Sequence, residues 1–171
     1  MTSEEPLVRI IGSYDYPLKR MFPDGAGRGG AVRFTTEPVM RPDFLLSVNY
    51  PRHDIEIECP VEHCWSLTQE PPHRVFHWMH SFHPSFGRLY SSDPSIEGPG
   101  KTLTHPHMHW HIKRSLEWLR QAVPPEKTKT LSTITSDMRW LKGHRLRFDF
   151  VKRLNEELEL DWFGRGVRPL E

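Results

Sequence analysis

Residues 127–166 constrain the fold more than any other stretch, because strand-like and helix-like patterns follow one another there. The segment 129–135 is rich in β-branched residues and predicts a strand, and 160–163 predicts a second one. Between them, from Gly143 onward, apolar residues recur at helical spacing. The predicted apolar face of this helix comprises Leu146, Phe150, Val151, Leu154 and Leu158. We therefore expect a βαβ unit with parallel strands, whose ligands gather at the carboxyl ends of the strands.

The chain before this unit predicts a loop-rich α/β region, because most of its 16 prolines lie there. Strands are predicted for 7–14, 43–49, 64–68 and 87–90, a short helix within 73–90, and an edge strand or a loop for 54–59. Gly25, Gly27 and Gly30 have the spacing of a dinucleotide-binding motif. They follow no strand directly and open no helix, so we expect a flexible loop instead.

The domain boundary is predicted at a pair of prolines. Residues 110–123 predict a helix with Ile112, Leu116 and Leu119 on one face, and Pro124 and Pro125 stop it. We therefore expect an amino-terminal domain of residues 1–123, a linker of 124–127, and a second domain beginning at 128.

Composition excludes several classes of protein. With 36% apolar residues the chain can bury a core, and a net charge of +1 argues against a nucleic-acid partner bound by bulk charge. No apolar run approaches the 18 residues of a membrane span, and the amino terminus does not resemble a signal peptide. Two cysteines, Cys59 and Cys64, fit a reducing compartment. We expect a cytoplasmic location, with peripheral membrane association as the alternative.

One carboxylate stands out as a candidate catalytic group. Glu70 comes directly after the predicted strand 64–68 and is followed by two prolines, which places it at the carboxyl tip of that strand, where it can face a cleft. A solvated glutamate before a polyproline turn is the alternative interpretation.

Eight of the 11 histidines lie between His73 and His111. His105, His107, His109 and His111 alternate with period two and could present four imidazoles on one face, as zinc, nickel or copper sites require. We favour the alternative that these side chains line a polar cleft or the surface, and we expect no bound metal.

Basic residues cluster where the predicted helix of the βαβ unit begins. Arg147 could bind a diphosphate in a bidentate way, and Lys142, His144 and Arg145 make the same helix end basic. Ser136 and Asp137 follow the preceding strand and would lie beside the nucleotide. The alternative is a solvated helix face that pairs with Glu156 and Glu157.

The pattern in 136–164 resembles the donor-binding domain of family 10 glycosyltransferases, the α-1,3/4-fucosyltransferases. The matching residues are Ser136, Asp137 (where the family usually has Asn), Arg147, Phe150, Leu154, Asp161, Phe163 and Gly164. The sequence Thr68-Gln69-Glu70 is similar to the T-G-E of that family, with Gln69 in place of glycine. The resemblance implies a GT-B-type fold of Rossmann-like units.

The resemblance also implies an activity. Glu70 would be the general base, Ser136, Asp137, His144 and Arg147 would bind the donor, and a sugar would pass with inversion from a GDP-sugar, by resemblance GDP-fucose, to a hydroxyl of a glycan acceptor. No cofactor is implied.

The family pattern continues beyond the last residue of this sequence, so we expect a donor domain that is cut short. Three alternatives follow: the chain is a truncated product, the unit packs on the first domain, or two chains complete each other as a homo-oligomer. Each of them makes an inactive chain a stronger expectation. Two other functions stay open: a non-catalytic module that binds a glycan or a nucleotide, and a His-rich metal-binding protein.

Overall fold

The computed structural model describes residues 5–22, 26–98, 100–105 and 114–169. Its internal contacts divide the chain into two units, Met1–Ala122 (unit 1) and Val123–Glu171 (unit 2). The division falls beside the predicted linker, residues 124–127. None of the helices in the described part of the chain is long and apolar enough to cross a membrane.

Unit 1 is built on a seven-stranded sheet in which parallel pairing dominates. The strand order is β2-β3-β1-β4-β5-β6-β7, and only β2 and β3 pair antiparallel. The strands are β1 Leu7–Gly12, β2 Arg28–Gly29, β3 Val32–Thr35, β4 Phe44–Val48, β5 Cys64–Leu67, β6 Arg88–Ser91 and β7 Lys101–Leu103. Each of the four predicted strands of this region contains or overlaps an observed one, and the predicted α/β class is confirmed.

The described part of unit 1 has two short α-helices, α1 Leu18–Met21 and α2 Leu116–Gln121. It also has two 3₁₀-helices, a short one at Val61–His63 and a long one at Arg74–Ser85. Helix α2 is capped by Ser115, whose hydroxyl accepts from the N–H of Trp118. It covers the second half of the helix predicted for 110–123, and residues 106–113 lie outside the described part of the chain.

The glycine-rich segment, which we expected to be a flexible loop, forms part of the sheet. Arg28 and Gly29 pair with Arg33 and Val32, which leaves a two-residue turn that begins at Gly30. Gly30 has a positive φ of 64°, as the first turn residue of a type II′ hairpin requires. The hairpin adds a strand to β1, and no helix follows it before β4, so the motif lacks the geometry of a dinucleotide site.

One buried cluster of unit 1 lies on one face of the sheet. Leu45 of β4 and Cys64 of β5 are direct neighbours in the register and form a buried cluster with Phe86. Ile57, Cys59 and Phe82 pack against this cluster. The segment 54–59 is therefore an irregular loop that covers the sheet, the second of the two predicted alternatives.

The long 3₁₀-helix stacks three histidines. Side chains three residues apart are eclipsed in a 3₁₀-helix, and the rings of His77 and His80 lie 5.0 Å apart, with His83 5.2 Å further on. His83 is only 2% exposed, and its ring nitrogens make no hydrogen bond to the described residues. Burial lowers the pKa of His83 to about 4, with a smaller contribution from His80, so the ring is neutral at pH 7.

Unit 2 is the predicted βαβ unit. Strand β8 (Ser132–Ile134) leads into α3 (Lys142–Glu157), and β9 (Asp161–Phe163) returns parallel to β8. The predicted apolar face of α3 is partly wrong: Val151 is buried, but Leu146 and Phe150 are 60% and 64% exposed. The helix instead buries Phe148, whose ring lies 5.2 Å from that of Trp162 in β9. Two apolar stripes overlap on this helix, and only the position of β9 decides which one is covered.

Acid should unfold unit 1 partly through His83. The unfolded chain takes up a proton at the ordinary histidine pKa of 6.5, but the folded chain does so only at about 4. Stability is therefore lost as the pH falls from 6.5 towards 4, by up to about 1.4 kcal/mol per pH unit. Replacing His83→Leu should remove this part of the pH dependence, measured by urea denaturation at several pH values.

The exposed His77 supplies the control for this measurement. His77→Leu should keep the acid-sensitive slope of the wild type. An identical slope in His83→Leu and the wild type would show that His83 is not held neutral in the folded state.

Candidate functional site

Parallel pairing brings the carboxyl ends of β1, β4, β5 and β6 to one edge of the sheet in unit 1. The segments that follow these strands carry polar side chains. They are Ser13, Tyr14, Asp15 and Tyr16 after β1, Asn49 and Arg52 after β4, Gln69 and Glu70 after β5, and Asp93 after β6. This edge is the candidate site of unit 1.

Glu70 lies at this edge, three residues beyond the end of β5, and its side chain is half-buried. Burial raises the pKa of its carboxyl above the ordinary value of 4.5. A carboxylate that is poorly hydrated binds a proton more readily than one in water. The position and the raised pKa are those that a general base at a strand end needs.

Gln69, directly before Glu70, is held from two sides. The Tyr14 hydroxyl donates to Oε1 of Gln69 (2.8 Å), and the N–H of Gln69 donates to Oδ1 of Asn49 (2.7 Å). Asn49 is buried and has a left-handed φ of 63°, a conformation that asparagine tolerates better than most residues. We call these three residues the Gln69 clamp. It holds Gln69 in a defined place directly before Glu70.

Tyr14 and Tyr16 form an aromatic wall beside the clamp. Their rings stack with centroids 5.5 Å apart and planes 17° from parallel. Burial is the largest cause that raises the pKa of each phenol, and for Tyr14 the charges of Tyr16 and Glu70 raise it further. Both hydroxyls therefore stay protonated at neutral pH and can donate hydrogen bonds.

A cavity of about 360 Å³ opens between the carboxyl ends of β1 and β4. The chain runs from β1 to β3 on one side of β1 and then to β4 on its other side, so the order of the strands reverses at this point. Parallel sheets bind ligands in the crevice at such a switch point. Tyr14, Tyr16, Arg52 and His53 are among the residues that line the cavity.

Asp93 adds a third carboxylate at the edge, besides Asp15 and Glu70. Its Oδ1 accepts hydrogen bonds from the N–H (2.8 Å) and the hydroxyl (2.7 Å) of Ser95. These bonds lower the pKa of Asp93, and electrostatic interactions with His80 and His77 lower it further. Within the described residues, no three His, Cys, Asp or Glu side chains come together as a metal site. His107, His109 and His111 lie outside those residues, so the structure does not test the metal site that the sequence analysis left as an alternative.

The candidate site of unit 2 lies at the carboxyl ends of β8 and β9, where two loops meet. The N–H of Asp137 donates to the carbonyl oxygen of Arg165 (3.0 Å). A side chain at Gly166, whose φ is 76°, would collide with the carboxylate of Asp137. Ser136 is half-buried beside this contact. Asp161 lies at the other end of β9, where it pairs with Arg168 (2.7 Å).

Helix α3 begins at this same end of unit 2, because it crosses from the carboxyl end of β8 to the start of β9. Its N-cap residue, Leu141, provides no side-chain cap, and its first turn contains no acidic residue. The positive end of the helix dipole is thus not balanced by a side chain of the helix itself.

The basic residues near the start of α3 differ in their contacts. Arg139 lies 3.9 Å above the ring of Phe148, and Arg145 donates to the carbonyl oxygen of Arg139 (3.2 Å). His144 packs edge-on against Trp140 at 5.1 Å. Arg147, the sixth residue of the helix, is exposed, and its side chain makes no hydrogen bond or ion pair to the described residues. It therefore remains available to a ligand.

The predicted site residues thus fall into two groups, one in each unit. Glu70 belongs to the edge of unit 1, and Ser136, Asp137, His144 and Arg147 belong to the loop and helix that follow β8. Comparison with protein-family models, with curated proteins and with solved structures finds no match for this chain.

Sequence reasoning missed Tyr14, Tyr16 and Asn49. A signal for them existed: two tyrosines flank Asp15 just after a predicted strand, and Asn49 ends another. The sequence does not show that the segments after β1 and β4, which are more than 30 residues apart, follow neighbouring strands of the sheet.

The Gln69 clamp should contribute measurably to stability. Replacing Asn49→Gly keeps the backbone free to adopt the left-handed conformation but leaves the N–H of Gln69 without its acceptor. We expect a loss of about 1–3 kcal/mol in the free energy of unfolding, measured by urea denaturation. Asn49→Ala should lose more, because alanine also disfavours the positive φ. A fully stable Asn49→Gly protein would contradict the role of the acceptor.

Proposed function

We propose that this protein is an inverting glycosyltransferase of the fucosyltransferase type, with Glu70 as its general base. The observation that carries the proposal is the placement of Glu70: a half-buried carboxyl with a raised pKa, beside the Gln69 clamp, at the ligand-binding edge of a parallel sheet. The resemblance to family 10 glycosyltransferases assigns the base to this same residue.

The reaction is a single displacement. Glu70 takes the proton of an acceptor hydroxyl as its oxygen attacks the anomeric carbon of the donor sugar. The bond between that carbon and the oxygen of the β-phosphate breaks at the same time, and GDP leaves with the bonding electrons. Because one displacement occurs, the anomeric configuration inverts. The proton stays on Glu70 until it is lost to water.

Unit 2 supplies the donor site in this proposal. The uncapped start of α3 attracts an anion, and the free guanidinium of Arg147 can bind a diphosphate oxygen by charge-assisted hydrogen bonds. Ser136, Asp137 and His144 surround the same helix end. In this proposal unit 2 belongs to a Rossmann-like donor domain of the GT-B type. GDP-fucose is the proposed donor, by resemblance alone.

Calorimetric titration of GDP tests the donor site. We expect Arg147→Ala to weaken GDP binding roughly 10- to 100-fold, because one charge-assisted hydrogen bond is worth about 1.5–3 kcal/mol. Arg153→Ala is the matched control, since Arg153 is also an exposed arginine of α3 but lies two turns further from its start. Equal weakening in both variants would indicate a general charge effect, and unchanged binding in Arg147→Ala would rule out the proposed contact.

The base role of Glu70 is tested by transfer of radiolabelled fucose from GDP-fucose to a panel of glycans. Glu70→Gln should lower the transfer rate roughly 100- to 10,000-fold and leave GDP binding intact. In the wild type the rate should rise with pH through the raised pKa of Glu70, because only the carboxylate accepts a proton, and this rise should vanish in the variant. GDP and glycan binding without any transfer would favour the non-catalytic binding module instead.

A further inference from the structure

The cavity between β1 and β4 combines an aromatic wall with polar groups at its rim. The stacked rings of Tyr14 and Tyr16 form the wall, and Asp15, Thr36, Arg52 and His53 line the cavity as well. An apolar ring face beside several hydrogen-bonding groups matches a pyranose, which has an apolar C–H face and a rim of hydroxyls. The volume of about 360 Å³ lies in the range of small-ligand pockets.

The charges of the cavity select against an anionic ligand. Arg52 is the one lysine or arginine among the described residues that line it. Its Nη1 lies 3.1 Å from Oδ1 of Asp15, and its Nε donates to the carbonyl oxygen of Ser13 (3.0 Å). The guanidinium is therefore already paired with a carboxylate of the same cavity. A phosphate or a uronate would have to compete with Asp15 for it, whereas a neutral sugar would not.

The cavity is connected to Glu70 through the clamp. Tyr14 lines the cavity and donates to Gln69, the residue directly before Glu70. The charge of Glu70 also contributes to raising the pKa of Tyr14, so the two groups are near each other. Tyr14 thus links the cavity to the chain segment that carries the candidate base.

We propose that this cavity binds a neutral pyranoside, with the Tyr14–Tyr16 wall as its stacking surface. The inference that a sugar binds here depends only on the properties of the cavity. That this sugar is the acceptor of the transfer rests on the function proposed above. Arg52 and Asp15 act as a pair that meets sugar hydroxyls with donors on one side and acceptors on the other.

Saturation-transfer NMR with the full chain tests the proposal, using methyl β-D-galactopyranoside and methyl N-acetyl-β-D-glucosaminide as probes. Both are neutral, and we expect at least one to bind. Tyr16→Leu should weaken that binding roughly 3- to 10-fold because it removes one ring of the wall, and Tyr16→Phe should restore it. Tyr50→Leu is the matched control, since Tyr50 is half-buried near the same edge but does not line the cavity.

Three results would overturn the proposal: no binding of either neutral sugar, unchanged binding in Tyr16→Leu, or equal losses in Tyr16→Leu and Tyr50→Leu. Two further probes test the charge argument. Methyl β-D-glucuronide and guanosine 5′-monophosphate should bind more weakly than the neutral sugar, and tighter binding of either at the Tyr16 site would exclude the assignment.

Titration of GDP into the same variants separates this proposal from the donor site. GDP binding should be the same in Tyr16→Leu as in the wild type. If sugar binding depends on Tyr16 but the protein does not bind GDP, the sugar site in the cavity is supported and the transferase function is ruled out. If the protein binds GDP but shows no Tyr16-dependent sugar binding, the donor site is supported and the sugar site in the cavity is ruled out.

Discussion

Parallel pairing of the central strands is the constraint on which the rest of unit 1 depends. Because β1, β4, β5 and β6 run in one direction, every chain segment that leaves them does so at the same edge. Tyr14, Asn49 and Gln69 come from three different segments and meet only for this reason. An antiparallel arrangement of the same three strands would place Asn49 at the opposite end of the sheet from Tyr14 and Gln69. The candidate site is therefore a product of strand direction first and of side-chain chemistry second.

Several side chains at the candidate site of unit 1 are half-buried, although they lie at the surface of the protein. Glu70, Tyr14 and Tyr16 all have pKa values raised chiefly by burial, which means that water is partly excluded from this edge. Weak hydration strengthens hydrogen bonds and makes a carboxylate a better proton acceptor. The Gln69 clamp fixes the position of the residue directly before Glu70. The proposed base and the tyrosines of the proposed sugar cavity are both in this poorly hydrated environment.

The candidate site of unit 2 differs, because its basic side chains are mostly exposed. Its helix α3 starts without a capping side chain and with basic residues in its first turns, and an anion would be stabilised at such a helix end. Arg139 and Arg145 are occupied by contacts within the unit, and Arg147 is not. Arg139 and Arg145 thus stabilise the start of the helix, whereas the side chain of Arg147 remains available to a ligand.

The sequence by itself determined the α/β class, the βαβ unit and the strand-end positions of Glu70, Ser136 and Asp137, because periodicity and strand-ending residues are local signals. Tertiary structure alone decided three things. It selected Phe148 over Leu146 and Phe150 as the buried face of α3, it turned the glycine-rich loop into a hairpin beside β1, and it joined Tyr14, Asn49 and Gln69. Each of these outcomes depends on which strands become neighbours, and pairing between distant segments leaves no local pattern in the chain.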